Sequence, residues 1–206
     1  MKDEHEIIRL ARGVDKEDHV FGPQSASVTL VEYGDYECPY CRQLHPLIQE
    51  ILNRTEGLCL VYRHFPINNL HPHAARAAEA AEAASAQGRF WEMHNALFEQ
   101  EQTLDDKRLS RLARKVGLDM ERYEREMGKG DYRGKVEEDF KAALYQEGVT
   151  GTPTLYLNGL RLSRIHSIEE LLSAVIEAGA SLKADSHEQN SWLHRLRNVR
   201  LGMTRL

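Results

Sequence analysis

Three cysteines, Cys38, Cys41 and Cys59, are all that this chain of 206 residues contains. So small and odd a number does not suit a disulfide framework. There is no second Cys-x-x-Cys to complete the four ligands of a structural zinc site. No apolar run approaches the ~20 residues of a membrane span. The opening Met1-Lys2-Asp3-Glu4-His5-Glu6, followed by Ile7-Ile8, lacks the basic start and the apolar stretch of about 7–15 residues that mark a secretory leader. Charge of one sign is also scarce, since the formal net charge is only −5. Nothing therefore marks the whole surface for nucleic acid or anionic lipid. These absences predict a cytoplasmic protein with no membrane span and no nucleic-acid partner.

What is present suits one domain with a sizeable insertion: 41% hydrophobic and 29% charged residues. Residues 3–12 are expected to form a short amphipathic helix. Val28 to Tyr33 is β-branched and apolar, as in a buried strand. Leu44, Leu47, Ile48, Ile51 and Leu52 follow at helical spacing, and Leu58 to Arg63 is a second strand candidate. From Pro72 to about Gly148 the pattern is helical almost throughout. Thr154 to Leu157 then reads as a strand. Asn158-Gly159 is a hairpin signal, with Arg161 to Ile165 as the partner strand. Ser167 with Glu170 forms a capping box for a closing helix. The order predicts an α/β sandwich with a helical insertion. Its expected parts are 1–66 with 149–180, an insertion over 67–148, and a C-terminal extension over 181–206.

The chemistry centres on Cys38-Pro39-Tyr40-Cys41. Thiol exchange needs a thiolate to attack and a second thiol to resolve the mixed disulfide. Two intervening residues at a helix start bring both sulfurs within bonding reach. Cys38, just before the helix, gains from the orphan N–H groups and the dipole. Cys41, one turn in, is the resolving thiol, and Pro39 suits the first helical position. Metal ligation or inert core packing are the other uses of such a pair, and no metal or cofactor is expected here.

The stretch Val31-Glu-Tyr-Gly-Asp-Tyr-Glu-Cys-Pro-Tyr-Cys41, with Arg63-His-Phe-Pro66, Gly88-Arg-Phe-Trp91 and Gly151-Thr-Pro-Thr154, resembles the DsbA-like thiol–disulfide oxidoreductases. Within them it is most similar to a bacterial subgroup that lacks a periplasmic role of its own or occurs fused to sodium/proton antiporters. The resemblance runs from about Asp18 to Glu177. It implies a thioredoxin-like fold whose helical insertion lies between the second strand and a cis-proline strand. It also implies that Pro153 is that cis-proline and that the backbone of Thr152 pairs with an extended substrate. Pro39 and Tyr40 would contact the substrate, and Glu32 would be a buried acid shuttling the proton of Cys41. The partners implied are disulfide-containing proteins or small molecules, together with glutathione or the thioredoxin system.

Tyr40 stands where many oxidising relatives carry His. Asp35 and Glu37 add negative charge nearby, so an elevated Cys38 pKa and a moderately reducing couple are expected. His64, His71 and His73 are expected in loop packing, Cys59 in a buried strand, and Phe90, Trp91 and Met93 in the insertion core. A glutathione-linked transferase or isomerase on the same scaffold, or a non-enzymatic redox or metal-stress module, are the alternative readings.

Overall fold

In a computed structural model that describes residues 8–162 and 167–184, the chain begins with β1 (His19–Phe21), β2 (Val28–Gly34), α1 (Pro39–Arg54), β3 (Thr55–Glu56) and β4 (Leu58–His64). Five helices follow: α2 (Ala74–Ser85), α3 (Phe90–Phe98), α4 (Asp106–Lys115), α5 (Met120–Lys129) and α6 (Arg133–Tyr145). The chain then returns through β5 (Thr154–Leu157), β6 (Leu160–Arg161), α7 (Ile168–Glu177) and β7 (Ser181–Leu182). The main sheet has the order β1-β4-β2-β5-β6. Strands β2 and β4 run parallel, Glu32 opposite Tyr62 and Gly34 opposite His64, with α1 as their crossover. Strand β5 pairs antiparallel to the other edge of β2, Glu32 opposite Leu155.

Side chains alternate across a strand, and here each side meets a helical layer. Leu30 and Leu60 pack with Ile48 and Ile51 of α1 and Leu171 of α7. Val31, Tyr33 and Val61 face the other way, against Ala143 of α6. The insertion buries its small side chains almost completely: Ala77, Ala80, Ala81 and Ala84 are each 0% exposed, which lets α2 pack closely beneath α3. Asp105, Asp119 and Ser167 cap α4, α5 and α7 by accepting N–H bonds, as expected of such residues.

One expectation fails. Residues 8–12 are not helical: Arg9 bridges Leu160, the Leu10 N–H donates to Gly159, and the Arg161 N–H donates to Ile8. A tertiary anchor overrides local propensity there. Arg63, fully buried, donates to both carboxylate oxygens of Asp18 at 2.8 Å and to the carbonyls of Arg12 and Gly13, drawing this segment onto the sheet. Residues 3–7, Ser163 to Ile165 of the expected partner strand, and the tail from 185 onward lie outside the described residues. The short β1 and the β3–β7 pair had no sequence signal, because each spans only two or three residues.

Gly34 is required where it stands. A Cβ there would meet the Tyr62 ring at 2.5 Å and its hydroxyl at 2.8 Å. Gly34→Ala should therefore destabilise the protein by about 1–3 kcal/mol through overpacking. A urea midpoint that stays at the wild-type value would contradict this reading.

Candidate active site

The site lies where β2 gives way to α1. Cys38 occupies the N-cap with extended backbone (φ −67°, ψ 121°) and Pro39 follows at the first helical position. The Arg42 N–H donates to the Cys38 carbonyl at 3.0 Å, closing the first turn. That turn carries Cys41 inward, to 0% exposure, while Cys38 keeps 3% and Tyr40 stands 68% exposed beside it. All three cysteines are free thiols. Opposite the pair, the Thr152–Pro153 peptide bond is cis. The Cys38 thiol donates to the Thr152 carbonyl, 3.3 Å away. Pro39, Tyr40, Thr152 and Pro153 thus flank Cys38, and a cleft lined by Phe65, Ile67, Val136 and Phe140 extends to Thr150.

The two thiols are driven apart. A hydrogen bond from Cys41 is the main influence that brings the Cys38 pKa down to about 5, against burial. The Thr152 side chain and the N–H groups of Cys41 and Tyr40 add to it. The Thr152 hydroxyl is buried with no other partner, which leaves it available to a thiolate. Burial, the bond given to Cys38 and the nearby Glu32 carboxylate push the Cys41 thiol well above its ordinary value. Glu32 sits beneath the pair, 2% exposed, with one oxygen unpartnered. Burial and then the charge of Cys38 push its pKa up to about 8.

This overturns the expectation that Asp35 and Glu37 would raise the pKa of Cys38. Both carboxylates are spent on backbone N–H groups, Asp35 on His71 as well. Asp35 accepts from the N–H groups of Glu37 and Ile67 and from His71 at 2.7 Å. Glu37 accepts from the N–H groups of His73 and Leu104. The donors at the helix start and at Thr152 decide the sign at the sulfur.

Sequence reasoning missed a polar layer behind the cysteines. Tyr36, Tyr62 and His94 are fully buried, with the Tyr36 hydroxyl 3.2 Å from His94 Nδ1 and the Tyr62 and His94 rings 4.5 Å apart. Glu82 of α2 lies 2.9 Å from His64 Nε2 and 2.7 Å from His19 Nε2. Burial opposes it, but these two bonds hold its carboxyl well below the usual carboxylate range. No local pattern joins residues 19, 64 and 82; only the register and the docking of α2 do. Their ligand atoms lie within 4.8 Å of one another. The separations of 2.7 and 2.9 Å are hydrogen-bond lengths, and the three are read as a hydrogen-bonded cluster. His71 and His73 stand apart from it. Cys59, 4% exposed, shares with Val61 and Arg63 the strand face opposite Tyr62 and touches the Thr29 hydroxyl at 3.4 Å. Phe90 and Met93 are buried in the insertion core with Trp91 packed against it.

A thioredoxin family model matches residues 14–178. The chain is 43% identical over 178 residues to the Na(+)/H(+) antiporter NhaA 3 of Salinispora tropica, an alignment covering 86% of this chain and 27% of that protein. It thus spans about a quarter of the length of the curated relatives it matches. A thioredoxin-like oxidoreductase from Silicibacter pomeroyi superposes with a TM-score of 0.71 at 32% identity, over 80% of this chain and 93% of its own. The thiol-disulfide exchange protein alpha-DsbA2 of Wolbachia pipientis shares the fold, with a TM-score of 0.68 at 23% identity, over 79% and 88% of the two chains. Among the described residues, no helix is long and apolar enough to cross a membrane.

Thiolate absorbance of the reduced protein should titrate with a midpoint near pH 5, and Thr152→Val should raise that midpoint; a midpoint near 9.0, the ordinary thiol value, would refute the assignment. Because the folded pKa lies below the unfolded one, the thiolate's contribution to stability is complete above pH 9.0 and is lost as pH falls through about 5. Denaturant titrations of reduced wild type against Cys38→Ser should therefore show a gap that opens as pH rises.

Proposed function

Because the chain belongs to the thioredoxin family, we propose that it is a dithiol–disulfide oxidoreductase in which Cys38 attacks and Cys41 resolves. The observation that carries this reading is the divergence of the two thiols, Cys38 down to about 5 and Cys41 well above 9.0. At neutral pH one sulfur is a thiolate and the other keeps its proton.

The Cys38 thiolate attacks a substrate disulfide, forming a Cys38–substrate bond and releasing the first substrate thiolate. Glu32, as carboxylate, takes the proton of Cys41. The new Cys41 thiolate attacks Cys38, the Cys38–Cys41 bond forms, and the second substrate thiolate leaves. Two electrons pass from the protein dithiol to the substrate, and the reverse sequence oxidises a substrate dithiol. The backbone of Thr152 offers an extended substrate a strand-like partner, and the exposed Tyr40 and Pro39 supply contact surface beside the sulfur. Disulfide-bearing proteins or small molecules are thus the substrates, with glutathione or the thioredoxin system as the thiol partner in a cytoplasmic setting. Any coupling to an antiporter belongs to the same proposal.

An attacking thiol that ionises at about 5 falls between thioredoxin, about 7, and DsbA, about 3.5. We expect the reduction potential to lie between theirs, about −270 and −120 mV. That is more oxidising than acidic neighbours and Tyr40 alone suggested. Equilibration with glutathione buffers measures it, and a value below the thioredoxin range would contradict the assignment. In an insulin-reduction assay, Cys38→Ser and Cys41→Ser should each lose turnover, and only Cys41→Ser should accumulate a mixed disulfide. Turnover retained by Cys38→Ser would sink the mechanism.

A further inference from the structure

Glu32 is enclosed, and the mechanism requires it to lose a proton in every turnover. With a pKa pushed up to about 8, it holds its own proton much of the time at neutral pH and must shed it before it can accept the proton of Cys41. No cation from the described residues faces Glu32 among the influences that shift it. Its register partner on the neighbouring strand is Tyr62.

Tyr62 opens a line of buried polar groups with an unusual property. Glu32 Oε1, Tyr62 Oη and His64 Nδ1 are each buried without a hydrogen-bond partner among the described residues. Such groups are uncommon in native interiors, and each calls for a reason such as a catalytic role or ordered water. Gly34, opposite His64, leaves the space in which the Tyr62 phenol lies. The Tyr62 and His64 rings meet edge to face at 5.5 Å. The other ring nitrogen of His64 contacts Glu82, and Glu82 contacts His19, whose side chain is 11% exposed.

We propose that Tyr62, His64, Glu82 and His19 form the conduit through which Glu32 exchanges its proton with solvent, a proposal that rests on the redox reading above. The proton leaves Glu32 for the Tyr62 hydroxyl, which passes its own toward His64 Nδ1, with ordered water bridging both spans because none of the three atoms has a direct partner among the described residues. His64 releases a proton from Nε2 to Glu82. When His19 carries its ring proton on Nδ1, its free Nε2 takes the proton from Glu82 and Nδ1 releases another to solvent. Each relay group takes one proton and gives one, so its charge is unchanged, and rotation or tautomer exchange restores its starting arrangement while Glu32 is left as the carboxylate. The remaining titratable groups around this line are Tyr36, His94, Cys41 and Asp35 near Tyr62, Tyr36 near Glu82, and His94 near His64 and His19. Tyr36 and His94 bond to each other and form a side branch.

Reaction of the reduced full chain with 5,5′-dithiobis(2-nitrobenzoate) separates the two questions. The first equivalent of nitrothiobenzoate reports attack by Cys38, and the second reports resolution by Cys41. Tyr62→Phe keeps the ring and removes the hydroxyl, and Glu82→Gln keeps the shape of the carboxylate. Both should leave the first phase within about twofold of wild type and slow the second by about tenfold or more, as loss of a positioned proton-transfer group does. The pH at which the second phase reaches half its maximal rate should also move in both variants, a shift that a packing role would not produce. If the second phase keeps its wild-type rate and pH profile in Tyr62→Phe, the conduit is refuted, whether or not Glu82→Gln folds. If wild type itself lacks a second phase, it is the redox reading that fails.

Discussion

Strand β2 has no face toward water and no free edge along Leu30–Tyr33, and most of the molecule follows from that. A strand flanked by β4 on one side and β5 on the other leaves the sheet only at its C-terminal end. The chain must turn sharply into α1 to cross back to β4, and the cysteines lie on that turn. The same pairing places Glu32 two residues inside the sheet end, on the face that α1 covers. It sets Tyr62 beside Glu32 and His64 beside Gly34. The return through β5 brings Thr152 and Pro153 against the opening of α1. The site is thus a by-product of satisfying one strand's backbone and side chains.

Within that frame, three titratable groups share an enclosed space, and each is displaced in the direction the proposed mechanism requires. Cys38 keeps donors around its sulfur and is held low. Cys41 and Glu32 are enclosed, with pKa values pushed upward. Environments that drive neighbouring groups apart are a common way for one site to hold an acid and a base at one pH. The backbone does much of this work by occupying Asp35 and Glu37, which would otherwise bring negative charge to the Cys38 sulfur.

The α/β order, the insertion and the cysteine turn were legible because each has a local signature: a β-branched run at Val28, proline and two cysteines at a helix start, helical periodicity from Ala74, Asn158-Gly159 at a hairpin. Glu32 and Thr152-Pro153 were found through family resemblance, since nothing local distinguishes a buried glutamate from an edge one. The charge at Cys38 was misjudged because sequence proximity shows that Asp35 and Glu37 are near but not that N–H groups hold them. Tyr62, Glu82 and His19 were invisible for a related reason. They meet only through strand register and the docking of α2, and both depend on contacts between residues far apart in the chain.

Cys59 was assigned no part in catalysis, yet its position sets a boundary on the chemistry. It lies on the same strand as Tyr62 but on the other side of the sheet, so a wall of paired backbone separates it from Cys38 and Cys41. A thiol able to reach the active sulfurs would offer a covalent intermediate a second escape and let the chain become trapped in a dead-end internal bridge. With that route closed, the proposed mechanism leaves a captured partner one intramolecular exit, through Cys41.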